Sequence, residues 1–172
     1  MDDLTRPVAL VGADRGEPPK GVRSVTVTDA DRDTWASGAA RQLTEGMHVI
    51  AIGHDAPGAL TLAASHAERV VSLVLVDPEV DLEDAEHGAT MARVVVPTLV
   101  IASAPTSDAS IEQPQSIAGG VDNGVFVVID GATAPTLVNR PSSVLEWSSA
   151  FMEIAEGLAE TRTDLIPPRD QS

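Results

Sequence analysis

Six short runs rich in valine, isoleucine and leucine recur along the chain, at residues 8–11, 24–28, 48–53, 71–76, 98–102 and 125–129. Their hydrophobicity is nearly continuous rather than alternating. A strand with one wet face alternates apolar and polar residues, whereas an unbroken apolar strand needs cover on both faces, as in a parallel sheet between layers of helices. Helical patterns fill the intervals, at residues 31–45, 57–67, 82–92, 110–118 and 142–160. Strand and helix therefore alternate. This predicts an α/β architecture: a mostly parallel sheet of about six strands, right-handed crossovers and helices on both faces. A ligand in such a sheet sits in the crevice at the carboxyl ends of the strands.

The helix boundaries have chemical support. Pro57 suits a first turn, Pro141 opens the last helix, and Gly46 is a stop signal. Residues 1–161 read as a single domain, and 162–172, polar and proline-rich, as a flexible tail.

Composition narrows the function classes. With 43% hydrophobic and 22% charged residues the chain has ordinary globular composition. No apolar run approaches the roughly 20 residues that span a bilayer, and the start, Met1-Asp2-Asp3, is acidic where a signal peptide is basic. A soluble, cytoplasmic protein without a membrane partner is expected. A net charge of -15 without a basic patch argues against nucleic acid. The absence of cysteine excludes disulfides, thiolate metal sites and cysteine nucleophiles. With no tyrosine, two tryptophans and two phenylalanines, a ligand would be held mainly by aliphatic side chains and backbone. The acidic groups Asp29, Asp31, Asp33 and Glu79, Asp81, Glu83, Asp84 lack calcium-loop spacing, so neither a metal nor a cofactor is expected.

One motif carries chemistry. Gly53-His54-Asp55-Ala56-Pro57-Gly58 follows an apolar strand and enters a helix of small residues. This is the setting of a nucleophile elbow, where a tight turn lifts one side chain above the sheet and helix-start amides can hold an oxyanion. The segment resembles the elbow of the α/β-hydrolase superfamily. "AASHAERVVSLVLVDPE" is similar to the helix, turn and strand that follow it, "VVVPTLVIAS" to the penultimate strand, and "GVFVVIDGATAPTLVNRPSSVLEWSSAFME" to the last strand, histidine loop and final helix. The resemblance spans about two thirds of the chain and preserves the order of its motifs.

It implies a site. Asp55 falls where the nucleophile stands, as in the dehalogenase and epoxide-hydrolase branches, whose aspartate forms a covalent ester. The alternative is that Asp55 caps free amides at the helix start. Gly12, Ala13 and Ala56 take the oxyanion or ligand pocket. The histidine position falls on Ala134. The acid is either Asp108, slightly late after its strand, or Asp77, at the end of the preceding one. Among the histidines, His54 is expected to pack beneath or beside Asp55, and His48 and His66 to be structural. His87 is the one candidate to approach Asp55, against the alternative of an exposed histidine in an acidic stretch. Ala56 replaces the dehalogenase tryptophan, epoxide-hydrolase tyrosines are absent, and only about fifteen residues (80–94) stand in place of a cap domain.

Loss of one triad member costs orders of magnitude in rate, because the residues act as a unit. The expectation is a cap-less protein without a complete triad that binds a small molecule or a protein without hydrolysis. The alternative is an unconventional hydrolase, lyase or cyclase using Asp55 as nucleophile or general acid/base. The face a cap would cover is also a candidate for homo-oligomerisation.

Overall fold

The structure, a computed structural model, describes residue 1 and residues 4–14, 16–43 and 46–161. In chain order the elements are β1 (Val8–Gly12), β2 (Val22–Thr26), α1 (Arg32–Gln42), β3 (Met47–Ile52), α2 (Ala56–Ser65), β4 (Val70–Val76), α3 (Ala85–Met91), β5 (Thr98–Ala104), α4 (Glu112–Gly119), β6 (Gly124–Asp130), α5 (Thr136–Asn139) and α6 (Pro141–Thr161). The six strands form one sheet in the order β2-β1-β3-β4-β5-β6. Every neighbouring pair is parallel. The expected α/β class is the observed one, and it follows from the unbroken apolar runs. Every residue of β3 and β4 is buried.

Alternate residues of these strands feed two cores. Val49, Ala51, Leu73 and Leu75 pack with Trp35, Ala39, Leu60, Leu62 and Ile117 of α1, α2 and α4. Ile50, Ile52, Val74, Val76, Leu99 and Ile101 face the other way, toward Val144 and Met152 of α6. Each fully buried aliphatic side chain contributes roughly 1.5–3 kcal/mol, so the central strands fix the fold from both faces.

The element ends differ from the sequence expectation where capping decides them. β2 begins at Val22 and ends at Thr26, two residues ahead of the apolar run. α1 begins after Asp31, whose carboxylate accepts from the Thr34 amide at 2.8 Å. That hydrogen bond holds the exposed Asp31 carboxyl below its ordinary pKa. α1 stops at Gln42, and the expected end of this helix, residues 44–45, lies outside the described residues, as does the tail 162–172. α3 is shorter than expected because Asp84 caps it, accepting from the Glu86 amide at 2.9 Å. Among the described residues no helix is long and apolar enough to cross a membrane.

At the amino ends of β3 and β4, α6 is tied to the sheet by a buried polar chain. His48 and Ser72 are fully buried, as the structural expectation for His48 had it. The His48 ring lies 2.8 Å from Ser72 Oγ through Nδ1 and 3.1 Å from the Glu156 carboxylate through Nε2. Glu156 also accepts from the Arg6 amide at 2.8 Å and from the amide and hydroxyl of Thr5, both at 3.0 Å. Burial lowers the His48 pKa against the opposing pull of Glu156. Burial by itself would raise the Glu156 carboxyl, but hydrogen bonds from Thr5, His48 and Arg6 outweigh it and hold the carboxyl low. Under these shifts a neutral imidazole and an ionised carboxylate share one hydrogen bond.

Candidate functional site

The turn after β3 is where sequence and structure part. Ile52 ends the strand, and Gly53 turns the chain with φ +56, in the left-handed region that only glycine enters cheaply. A 3-10 turn follows over Gly53–Asp55, and α2 starts at Ala56 with Pro57 in its first turn. The Gly53 carbonyl accepts from the Glu79 amide at 3.1 Å and from the Ala56 amide. The tight conformation therefore belongs to Gly53. Asp55, two residues later, has ordinary right-handed helical backbone, φ -78 and ψ -11.

Asp55 was expected to stand above the sheet, yet it is only 8% exposed. Its Oδ1 accepts from the Trp35 indole N–H at 3.1 Å, and its Oδ2 from the Ala13 amide at 3.3 Å. β1 is shaped around this carboxylate. Gly12 has φ +140, and a Cβ there would lie 2.1 Å from Asp55 Oδ2. Gly58 has a similar role toward Trp35, since a Cβ at Gly58 would lie 2.4 Å from the indole. The small residues of "GHDAPG" thus make room for the indole and the turn.

The structure brings Gly12, Ala13, Asp55 and Ala56 together, but the two amides expected to face a ligand are engaged. Ala13 N–H points to Asp55, and Ala56 N–H to Gly53. Ala56 itself is fully buried. Beside this cluster lies a cleft of about 380 Å³ at the carboxyl ends of β1, β2 and β3, lined by Ala13, Asp29, Arg32, Trp35, His54 and Asp55 among others.

The remaining candidates have other partners. His87 places Nδ1 2.8 Å from the Asp81 carbonyl and 3.7 Å from Asp84, both in its own acidic segment. Asp108 is exposed in the loop after β5, where the Thr106 side chain and its own backbone amide hold its carboxyl below the ordinary value. Asp77 has φ +46, and its carboxylate is fully committed: Oδ1 accepts from Ser103 N at 3.2 Å and Thr136 Oγ1 at 2.8 Å, and Oδ2 from Thr136 N at 2.7 Å. Ala134 is exposed and followed by a cis bond to Pro135. Asp77 thus reaches across β5 to the loop after β6, where it holds a buried threonine.

Three participants went unnoticed in the sequence. Trp35 counted only as one of two tryptophans, and Thr136 was assigned no role. Glu79 was read as part of an acidic cluster, but its carboxylate lies 2.7 Å from Nδ1 of His54. Of the expectation that His54 packs beneath or beside Asp55, the first half fails: its side chain is 84% exposed and lines the cleft together with Asp55. A usable signal did exist for the turn. Pro57 fixes the helix start, which leaves Gly53 as the residue between strand and helix able to take a left-handed backbone.

Comparison with known proteins places the fold. No family model and no curated protein matches the sequence. Solved structures do match. A membrane phospholipase A described as a bacterial virulence factor superimposes with TM-score 0.68 at 13% identity, over 88% of this chain and 80% of that one. An α/β-hydrolase fold protein from Nakamurella multipartita gives 0.61 at 14% identity, over 88% and 92%. A thermophilic esterase from Thermogutta terrifontis gives 0.64 at 14% identity, over 88% and 91%. The protein is thus a parallel, doubly covered α/β domain. More specifically, it has the α/β-hydrolase fold.

Proposed function

We propose that this chain is an α/β-hydrolase-fold protein without triad hydrolysis, which binds a small molecule in the cleft beside Asp55. One observation carries the reading: the left-handed turn after β3 belongs to Gly53, which has no side chain, while Asp55 is buried with both carboxylate oxygens accepting hydrogen bonds. A nucleophile needs to reach an electrophile, and an oxyanion hole needs free donors; Asp55 is only 8% exposed. Asp55 serves instead as the acceptor that joins the β1 loop, α1 and the turn, and its bond to Ala13 occupies one of the two expected donors. Asp77, one of the two candidate acids, bonds Thr136, two residues beyond the expected histidine position at Ala134. On this reading the scaffold has kept the acid-to-loop link without the base.

Short acyl esters test the proposal. The expected result is release no faster than buffer background, with cleft ligands detected as a change in Trp35 emission. Turnover abolished by Asp55→Asn would overturn it.

A second reading has its own observation. His54, paired with Glu79 and lining the same cleft, is a histidine whose Nδ1 is held by a carboxylate while the rest of the ring faces solvent. That is the arrangement of a general base, suited to proton transfer rather than acyl transfer. Isotope exchange at an acidic C–H of a cleft ligand, lost in His54→Gln and retained in Asp55→Asn, would favour this enzyme; retention in His54→Gln would remove it.

A further inference from the structure

The two faces of the sheet are unequally covered. α1, α2 and α4 pack on one, whereas the cluster on the other is closed by α6, with Leu137 of α5 and Met1 and Leu4 packed against it. Six strands at about 4.8 Å spacing span about 24 Å, room for two helices about 10 Å apart. α6 lies against β4 and β5. Beside it, toward the edge strand β6, runs a groove of about 350 Å³ lined by Leu99, Val125, Val127, Trp147, Ile154 and Leu158 among others, with no charged residue in the lining. Val125 is 46%, Trp147 50% and Ile154 63% exposed. Such a strip is a surface that needs cover.

We propose that the groove is the docking site for an amphipathic helix of a partner protein, apolar on the face that enters it and basic along one flank. The first argument is shape. Trp147, Phe151, Ile154 and Leu158 recur on α6 at i, i+4, i+7 and i+11, the spacing of a helix-packing seam. The seam is about 16 Å long, roughly three turns. The floor of the groove is made by side chains of β5 and β6 and its wall by α6, the surroundings of a helix laid on a sheet rather than of a strand added to an edge. The second argument is charge. Glu146, Glu153 and Glu160 are exposed on α6 at seven-residue spacing, about 120° round the axis from the seam and on the side away from the buried Val144, Met152 and Ala155. Lys20 shares a shallow hollow with Glu146 and Glu153, but among the described residues none of the three glutamates is ion-paired. A charged row beside an apolar seam selects the partner in paired helices, and this row selects lysine or arginine. A second copy of α6 would instead set one acidic row against another, in a chain of net charge -15.

The probe is a synthetic helix of about three heptads with leucine at its core positions and lysine at the flanking ones; its counterpart carries glutamate in place of lysine. In titration calorimetry the full chain should bind the lysine helix one to one, at least tenfold more tightly than the glutamate helix. Ile154→Asp, at an exposed position that leaves the core intact, should weaken binding of the lysine helix at least tenfold. Glu146→Lys with Glu153→Lys and Glu160→Lys should reverse the preference between the two helices. Undiminished binding by the Ile154→Asp chain marks charge attraction alone and overturns the proposal, as does a preference that fails to reverse or an absence of binding. A full chain that sediments as a dimer, dissociated by Ile154→Asp, overturns it in favour of a second copy. Binding seen only once the chain is ended at Thr161 overturns it in favour of the chain's own C-terminal residues.

Discussion

Two carboxylates at opposite ends of β3, a buried Asp55 and a half-buried Glu156, organise this molecule in different ways. At the amino end of β3, Glu156, His48 and Ser72 form a hydrogen-bonded chain with the residue types of a catalytic triad. It is sealed beneath α6, and His48 and Ser72 have no exposed surface. At the carboxyl end, where the fold places chemistry, Asp55 is paired with an indole and a backbone amide. Triad-like composition is thus no guide to a site; access is. Both carboxylates act as fasteners, one for a helix and the N-terminal segment, the other for a loop and a helix.

The comparison can be broken by mutation, and the largest effect is expected at the carboxyl end. Gly12→Ala combines a φ rarely adopted by other residues with a Cβ 2.1 Å from Asp55 Oδ2, and should cost about 4 kcal/mol in urea unfolding. Glu156→Ala removes the acceptor for Thr5, Arg6 and His48 at once. A loss of about 3 kcal/mol is expected, with faster hydrogen exchange in residues 5–7. Asp55→Asn keeps the shape, but its single oxygen cannot serve both the Trp35 indole and the Ala13 amide, and the change should cost about 1 kcal/mol.

Acid separates the two ends further. His48 has a folded pKa below its ordinary value of 6.5, so below pH 6.5 the unfolded chain takes up a proton that the folded one refuses. Stability from this group is complete above pH 6.5 and is lost as pH falls through the folded pKa. Glu156, whose ordinary value of 4.5 is also lowered, loses its share in a second window below pH 4.5. His48→Gln should abolish the upper window and leave the lower, as read from unfolding midpoints between pH 7 and 3. If the upper window survives His48→Gln, the amino-end chain is not its source.

The fold was legible because β3, β4 and β5 are buried on both faces, and near-continuous runs such as "VVSLVLV" say so directly. The site was legible only in outline. The motif located the turn correctly, but which residue bears the left-handed conformation is a backbone property, and a two-residue difference moved Asp55 from the surface into the protein. Trp35 and Thr136 could not be paired with Asp55 and Asp77 from sequence, because each pairing joins segments brought together only by the sheet. His54 does not lie beneath Asp55 for a related reason: a turn that starts at Gly53 carries the next side chain outward, toward Glu79.

Asp77 has a kinetic consequence. Its carboxylate draws its partners from Ser103 and Thr136, so it is satisfied only after β5 has paired with β4 and the chain beyond β6 has returned. Contacts of such sequence separation form late, because loop closure must precede them. The carboxyl edge of the sheet is therefore a keystone, set after the central strands are in place and locking the β4–β5 and β5–β6 crossovers with one side chain.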